Sequence, residues 1–98
     1  MRSYRFAAQA RQDLFDQIDY LIDQDAADAA ARLLARVETY VRSFLCVYPG
    51  AGRVVGHRGL WETWVPSTRL VIWYRFDDDS VEIVRVWHAA RDRSAADE

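Results

Sequence analysis

Glu62, Arg69, Arg75, Arg85 and His88 are the side chains of this sequence whose types could do chemistry together. A carboxylate and an imidazole can exchange a proton with a hydroxyl, and guanidinium groups can hold the charge that builds on a phosphate. That set suffices for phosphodiester cleavage without a metal. In this reading Glu62 or His88 is the acid or base, and Arg69, Arg75 or Arg85 meets the phosphate. A plainer reading stands beside it. Arg75 and Glu82 fall opposite each other in a hairpin closed by Phe76 and Val81, and there they simply pair. A histidine at a strand end, as His88 is, is more often structural or a partner contact than catalytic. His57 has no neighbour at metal-ligand spacing and reads as a loop or surface residue. The single cysteine, Cys46, can form no internal disulfide and builds no zinc site alone, so it reads as a small buried hydrophobe. Neither a metal nor a cofactor is expected.

These side chains need a scaffold, and 98 residues make one domain with a single modest core. Ser3–Ala7 alternates weakly and reads as a short strand. From Ala8 to about Gln24, Ala10, Leu14, Ile18, Leu21 and Ile22 recur at helical spacing, while Asp13, Asp16, Asp19 and Asp23 keep the other face wet. Asp25 fits the N-cap of a second helix from Ala26 to about Val47. Its apolar stripe is Ala30, Leu33, Leu34, Val37, Val41, Phe44 and Leu45, with Asp28–Arg32 and Glu38–Arg42 as exposed i, i+4 pairs. The short break between the helices predicts an antiparallel helical hairpin.

Pro49-Gly50-Ala51-Gly52 stops that helix, and a loop through Gly59 leads to three strand-like runs, Leu60–Val65, Arg69–Phe76 and Val81–His88. Asp77-Asp78-Asp79-Ser80 is the hairpin loop between the last two. Closure at Phe76 and Val81 puts Leu70, Ile72, Tyr74, Phe76, Val81, Ile83, Arg85 and Trp87 on one face. That face is the more apolar and should meet the helices. The other carries Arg69, Val71, Trp73, Arg75, Glu82, Val84, Val86 and His88, with Arg69 opposite His88. The order is βααβββ, an α+β domain over residues 1–98 with a polar tail from about residue 94.

Composition narrows the function classes. Half the residues are hydrophobic, so a packed globule is expected. No apolar run approaches the roughly 20 residues needed to cross a bilayer, and the N-terminus lacks a signal-peptide core; a cytoplasmic location is expected. All 13 basic residues are arginine, yet the formal net charge is −2 and the pI about 5.6. A protein built mainly to grip a nucleic-acid backbone carries the opposite balance. Arg53, Arg58, Arg69 and Arg75 nevertheless face only Glu62 within their stretch, which leaves room for a local basic surface.

Several segments together resemble one family. Thr68–Phe76, ending its strand in Tyr74-Arg75-Phe76, is followed by Val81-Glu82-Ile83-Val84-Arg85-Val86-Trp87-His88, and this pair looks like the C-terminal hairpin of RelE/ParE toxins. Arg91-Asp92 after the histidine is similar to the ParE branch. Pro49-Gly50-Ala51-Gly52-Arg53 resembles the family's P-x-x-G-R loop, and Ala10…Asp13-Leu14…Ile18 its helical start. The four segments occur in the family's order and cover nearly the whole chain.

The resemblance implies the toxin of a type II toxin–antitoxin pair, a hetero-oligomer with a cognate antitoxin encoded beside it. RelE-like members cut messenger RNA on the ribosome; ParE-like members block DNA gyrase without cleaving RNA. Nucleases of the family carry an arginine where Val71 stands and are strongly basic, so both departures favour the ParE branch. No catalytic residue is then expected; as a nuclease, Glu62, Arg69 and His88 would be the set. Antitoxin contacts are expected at Trp61, Arg69, Trp73, Arg75 and Arg85, and target contacts at His88, Arg91 and Arg93.

Overall fold

The computed structural model describes residues 1–56 and 58–90, so His57, Arg91, Arg93 and the tail from about residue 94 lie outside the described residues. The chain runs β1 (Ser3–Phe6), α1 (Ala8–Asp23), α2 (Ala27–Tyr40), a π-helical turn (Val41–Leu45), a 3-10 turn (Pro49–Ala51), β2 (Arg53–Val55), β3 (Leu60–Trp64), β4 (Leu70–Phe76) and β5 (Ser80–His88). The strands form one sheet in the order β1-β5-β4-β3-β2. Only the β1–β5 pair is parallel; the other three are antiparallel. This is the expected α+β hairpin-on-sheet domain, with one strand more than anticipated. Arg53–Val55, read as loop, pairs with Leu60–Glu62 across a turn whose Gly56 and Gly59 both take φ +68.

The helices cover one face of the sheet. Ala10 and Leu14 of α1, with Val37, Val41, Leu45 and Cys46, pack on Leu70, Ile72, Tyr74, Val81, Ile83 and Val86. The apolar stripes are narrower than the sequence suggests: along α2 and its π-helical turn Val37 and Val41 are buried, Leu33 half-buried, and Leu34 and Phe44 exposed, while on α1 Ile18 is half-buried and Ile22 exposed. The i, i+4 pair Glu38–Arg42 closes at 3.0 Å, but Asp28–Arg32 forms no ion pair. Asp25 does not cap α2. It takes φ 56 after α1, where Ala26 N–H donates to Leu21 O at 2.8 Å and Asp25 N–H to Ile22 O at 3.0 Å. This is a Schellman closure with aspartate in the left-handed place that glycine usually fills.

The hairpin closes as predicted, with Phe76 opposite Val81, Arg75 opposite Glu82 and Tyr74 opposite Ile83. A bulge then makes Trp73 face Arg85, so that Val84 is the extra residue. Every later side chain of β5 changes face. Val86 therefore enters the main core, and Trp87 joins Val71 and Trp73 on the outer face, the reverse of the alternation read from sequence. His88 falls opposite Leu70, not Arg69.

Asp13 accounts for part of this geometry. Strand β1 ends opposite Ile83, so among the described residues the next stretch of β5 has no strand on that side. Asp13 Oδ2 accepts the buried Val86 N–H at 3.0 Å and Arg85 Nε at 2.8 Å, in place of a strand. The residue expected on the wet face of α1 is thus buried, held also by Gln9 Nε2 at 2.9 Å.

Candidate functional site

The residues singled out for chemistry divide between the two faces of the sheet. Glu62 is on the outer face, opposite Arg53 on β2 and Trp73 on β4. Its Oε1 accepts Arg53 Nε at 2.9 Å and Nη2 at 2.7 Å, and its Oε2 accepts Trp73 Nε1 at 3.0 Å. Trp73 in turn meets Trp87 edge-on, 4.5 Å between ring centroids. Both carboxylate oxygens are engaged and the residue is 9% exposed, so Glu62 is a joint between β2, β3 and β4. Its partner Arg53 had been read only as part of a basic surface.

Arg69 and His88 lie on the helix side, at the far end of the sheet. Both line a cleft with Arg32, Arg36 and Leu33 of α2 and with the β3–β4 turn. Arg69 O accepts Ala89 N–H at 2.8 Å, which ties the start of β4 to the end of β5. His88 Nδ1 accepts Ala90 N–H at 3.2 Å. Two members of the expected nuclease set therefore share a cleft, and the carboxylate stands behind the sheet from them.

The other expected contacts scatter. Arg75, exposed on the outer face, lies 3.9 Å from Glu82, which Arg5 also meets at 3.0 Å. Such exposed pairs contribute little to stability. Arg85 is held by Asp13. Trp61 is half-buried on the helix face, 5.3 Å from Phe76.

The loop before β2 is fixed by Tyr74. Its hydroxyl donates to Pro49 O at 2.6 Å and accepts Gly52 N–H at 3.2 Å. Burial pushes this phenol up, against a smaller lowering from the Gly52 bond. A Cβ on Gly52 would lie 2.5 Å from both Glu62 O and the Tyr74 hydroxyl, so this glycine is required by close approach. Burial likewise raises the thiol of Cys46, which is fully buried in the core as expected.

An apolar groove of about 490 Å³ runs between β1 and the helices, lined by Tyr4, Phe6, Leu14, Phe15, Ile18 and Leu34. Phe15 is 55% exposed and Leu34 45%, so the groove leaves apolar surface uncovered. Among the described residues, no strand pairs with the outward edge of β1 beside it. Among the described residues no cluster of His, Cys, Asp and Glu could hold a metal, and no helix is long and apolar enough to cross a membrane.

A helical hairpin on one face of a mixed five-stranded sheet is the architecture of ParE and RelE toxins. The family described as ParE toxin of the type II toxin–antitoxin system, parDE, matches residues 4–93, and this chain belongs to it. The candidate toxin Y4kP of Sinorhizobium fredii is 39% identical over 74 residues, 76% of this chain and 75% of that protein. The chromosomal ParDE system of P. aeruginosa shares the fold, with TM-score 0.75 at 19% identity over 90% of this chain and 96% of that one. The toxin–antitoxin complex RelBE2 of Mycobacterium tuberculosis gives TM-score 0.65 at 26% identity over 89% and 96%.

Proposed function

We propose that this type II toxin is a non-enzymatic inhibitor of DNA gyrase, acting in the bacterial cytoplasm and neutralised by a cognate antitoxin. The observation that carries this reading is the arrangement around Glu62. A general base needs a free oxygen within reach of the proton it removes. Here the carboxylate is bound by Arg53 and Trp73 and separated by the sheet from Arg69 and His88. The small negative net charge points the same way, since a ribosome-directed nuclease works against a polyanion. The alternative, a ribosome-dependent endoribonuclease, draws support from Arg69 and His88 sharing one cleft; it would have to work without Glu62.

The antitoxin fits the groove beside β1. An amphipathic helix would cover Phe15, Ile18 and Leu34, and an extended segment would pair with the outward edge of β1. The anticipated contacts at Trp61, Arg69, Trp73, Arg75 and Arg85 lie on both faces, so a partner reaching several of them wraps the domain. A tail that folds on binding does this readily. His88, Arg91 and Arg93 remain the proposed target contacts.

Expression in bacteria tests the reading. The chain alone should arrest growth and induce a DNA-damage reporter while primer extension finds transcripts intact. Co-expression with the adjacent small gene should restore growth and yield a co-purifying complex. Harmless expression together with no binding to any adjacent product would refute it.

A further inference from the structure

The flank of α2 turned away from β1 carries a second, differently built site. Leu34, Val37 and Glu38 line the groove beside β1. Arg32, Leu33 and Arg36 line the cleft of about 330 Å³ against the β3–β4 turn. At 3.6 residues per turn these two sets lie on opposite flanks of the helix. The floor of the second cleft is apolar, formed by Leu21, Leu33 and Leu70, and its rim is cationic. Arg32 and Arg36 stand one turn apart on α2, and Arg69 faces them from the turn. That turn is closed by its own hydrogen bonds: Ser67 takes φ 65, and Thr68 Oγ1 donates to Val65 O at 2.7 Å and accepts Leu70 N–H at 3.0 Å. Arg5, Arg42, Arg53, Arg75 and Arg85 each pair with a carboxylate of the chain. Arg32, Arg36 and Arg69 have no carboxylate partner among the described residues. A shallower cleft of about 300 Å³ along Thr39, Tyr40 and Pro66 shares Arg36 and extends the groove down the helix.

We propose that this cleft binds an acidic linear peptide segment, with an aliphatic side chain on the leucine floor and carboxylates forked by Arg32, Arg36 and Arg69. Guanidinium groups on fixed elements suit bidentate carboxylate contacts. A nucleic-acid strand is the less suitable occupant. Its phosphates would meet the arginines, but its sugar–phosphate backbone has no aliphatic side chain to lay on the leucine floor. For Arg69 the proposal builds on the antitoxin reading and supplies that contact with its neighbours. The test uses no antitoxin, so the two can fail separately.

The full-length protein is panned against a random heptapeptide display library, and an enriched peptide is measured by fluorescence anisotropy. Enriched sequences should carry aspartate or glutamate beside leucine or isoleucine. Binding should weaken with salt and fall about tenfold or more in the Arg32→Gln/Arg36→Gln/Arg69→Gln variant, whose circular dichroism and melting should match the parent. An oligothymidylate strand should not displace the peptide. Failure to enrich any peptide, enrichment of non-acidic ones, or equal binding by the variant would overturn the proposal. Displacement by the oligonucleotide would overturn it in favour of a phosphate-binding surface.

Discussion

Replacing Asp13 by alanine removes the acceptor that stands in for a missing strand beside β5. Three groups lose their partner at once, of which Gln9 Nε2 is exposed and can turn to water. The Val86 N–H is buried, and a buried donor left without an acceptor costs about 1–3 kcal/mol. The Arg85 guanidinium loses a 2.8 Å ion pair, but its side chain is 21% exposed and recovers part of its hydration. That share is well below the roughly 3–5 kcal/mol of a fully buried pair. Together the loss should be about 2–4 kcal/mol, a melting shift of roughly 8–30 °C for a domain of this size. Asp13→Asn keeps an oxygen for Val86 but gives up the charge and the acceptor that Gln9 Nε2 uses, so it should cost less than alanine does. Urea denaturation followed by tryptophan fluorescence measures both, since Trp87 follows Val86 in β5. A loss under about 0.5 kcal/mol for Asp13→Ala, or equal losses for both variants, would refute the claim that this carboxylate holds the bulged strand.

Gly52→Ala should cost about 1–3 kcal/mol, because its Cβ would meet backbone and a buried hydroxyl at 2.5 Å; thermal melting of the variant unchanged from the parent would show that the loop yields freely. Tyr74→Phe should cost about 1–2 kcal/mol through the lost bonds to Pro49 and Gly52. The phenol also links stability to pH. Its folded value lies above the ordinary 10.0, so the folded chain keeps the proton longer and this contribution is whole below pH 10.0. It is lost as pH rises from there through the raised folded value. The parent should therefore destabilise more steeply above pH 10.0 than Tyr74→Phe does, and parallel pH curves would contradict the assignment.

Local pattern carried much of the fold. The existence of both helices, the break before Pro49 and the closure of the last hairpin at Phe76 and Val81 stand as read, while Ile22, Leu34 and Phe44 of the expected apolar stripes are exposed. What escaped depends on residues far apart in sequence. The Val84 bulge depends on what lies beside β5 once β1 ends, and no alternation within β5 announces it; one unpaired residue then moved Val86, Trp87 and His88 to opposite faces. Asp13 falls at a regular acidic spacing with Asp16, Asp19 and Asp23, so nothing local marked it as buried. Asp25 has the residue type of an N-cap, yet its left-handed backbone serves the helix before it.

The candidate site was legible as residues more than as an arrangement. Arg69 and His88 were singled out and share a cleft, although not as cross-strand partners. Glu62 was singled out as well, but its bonds to Arg53 and Trp73 arise from the β2–β3 turn, which had been read as loop. Arg32 was read as half of an exposed pair with Asp28, and Arg36 was not singled out. Only the packing of the β3–β4 turn against α2 brings Arg69 to join them.

The central claim, a toxin that acts on gyrase and not on messenger RNA, is tested most directly with purified protein, gyrase and relaxed plasmid. Supercoiling should be inhibited in proportion to toxin concentration and restored by the antitoxin. Glu62→Ala and His88→Ala should lose potency only as far as they lose stability or binding. In a parallel reaction with translating ribosomes the messages should stay intact. Full gyrase activity at saturating toxin, with codon-specific message cleavage that disappears in His88→Ala, would contradict the account and establish the nuclease.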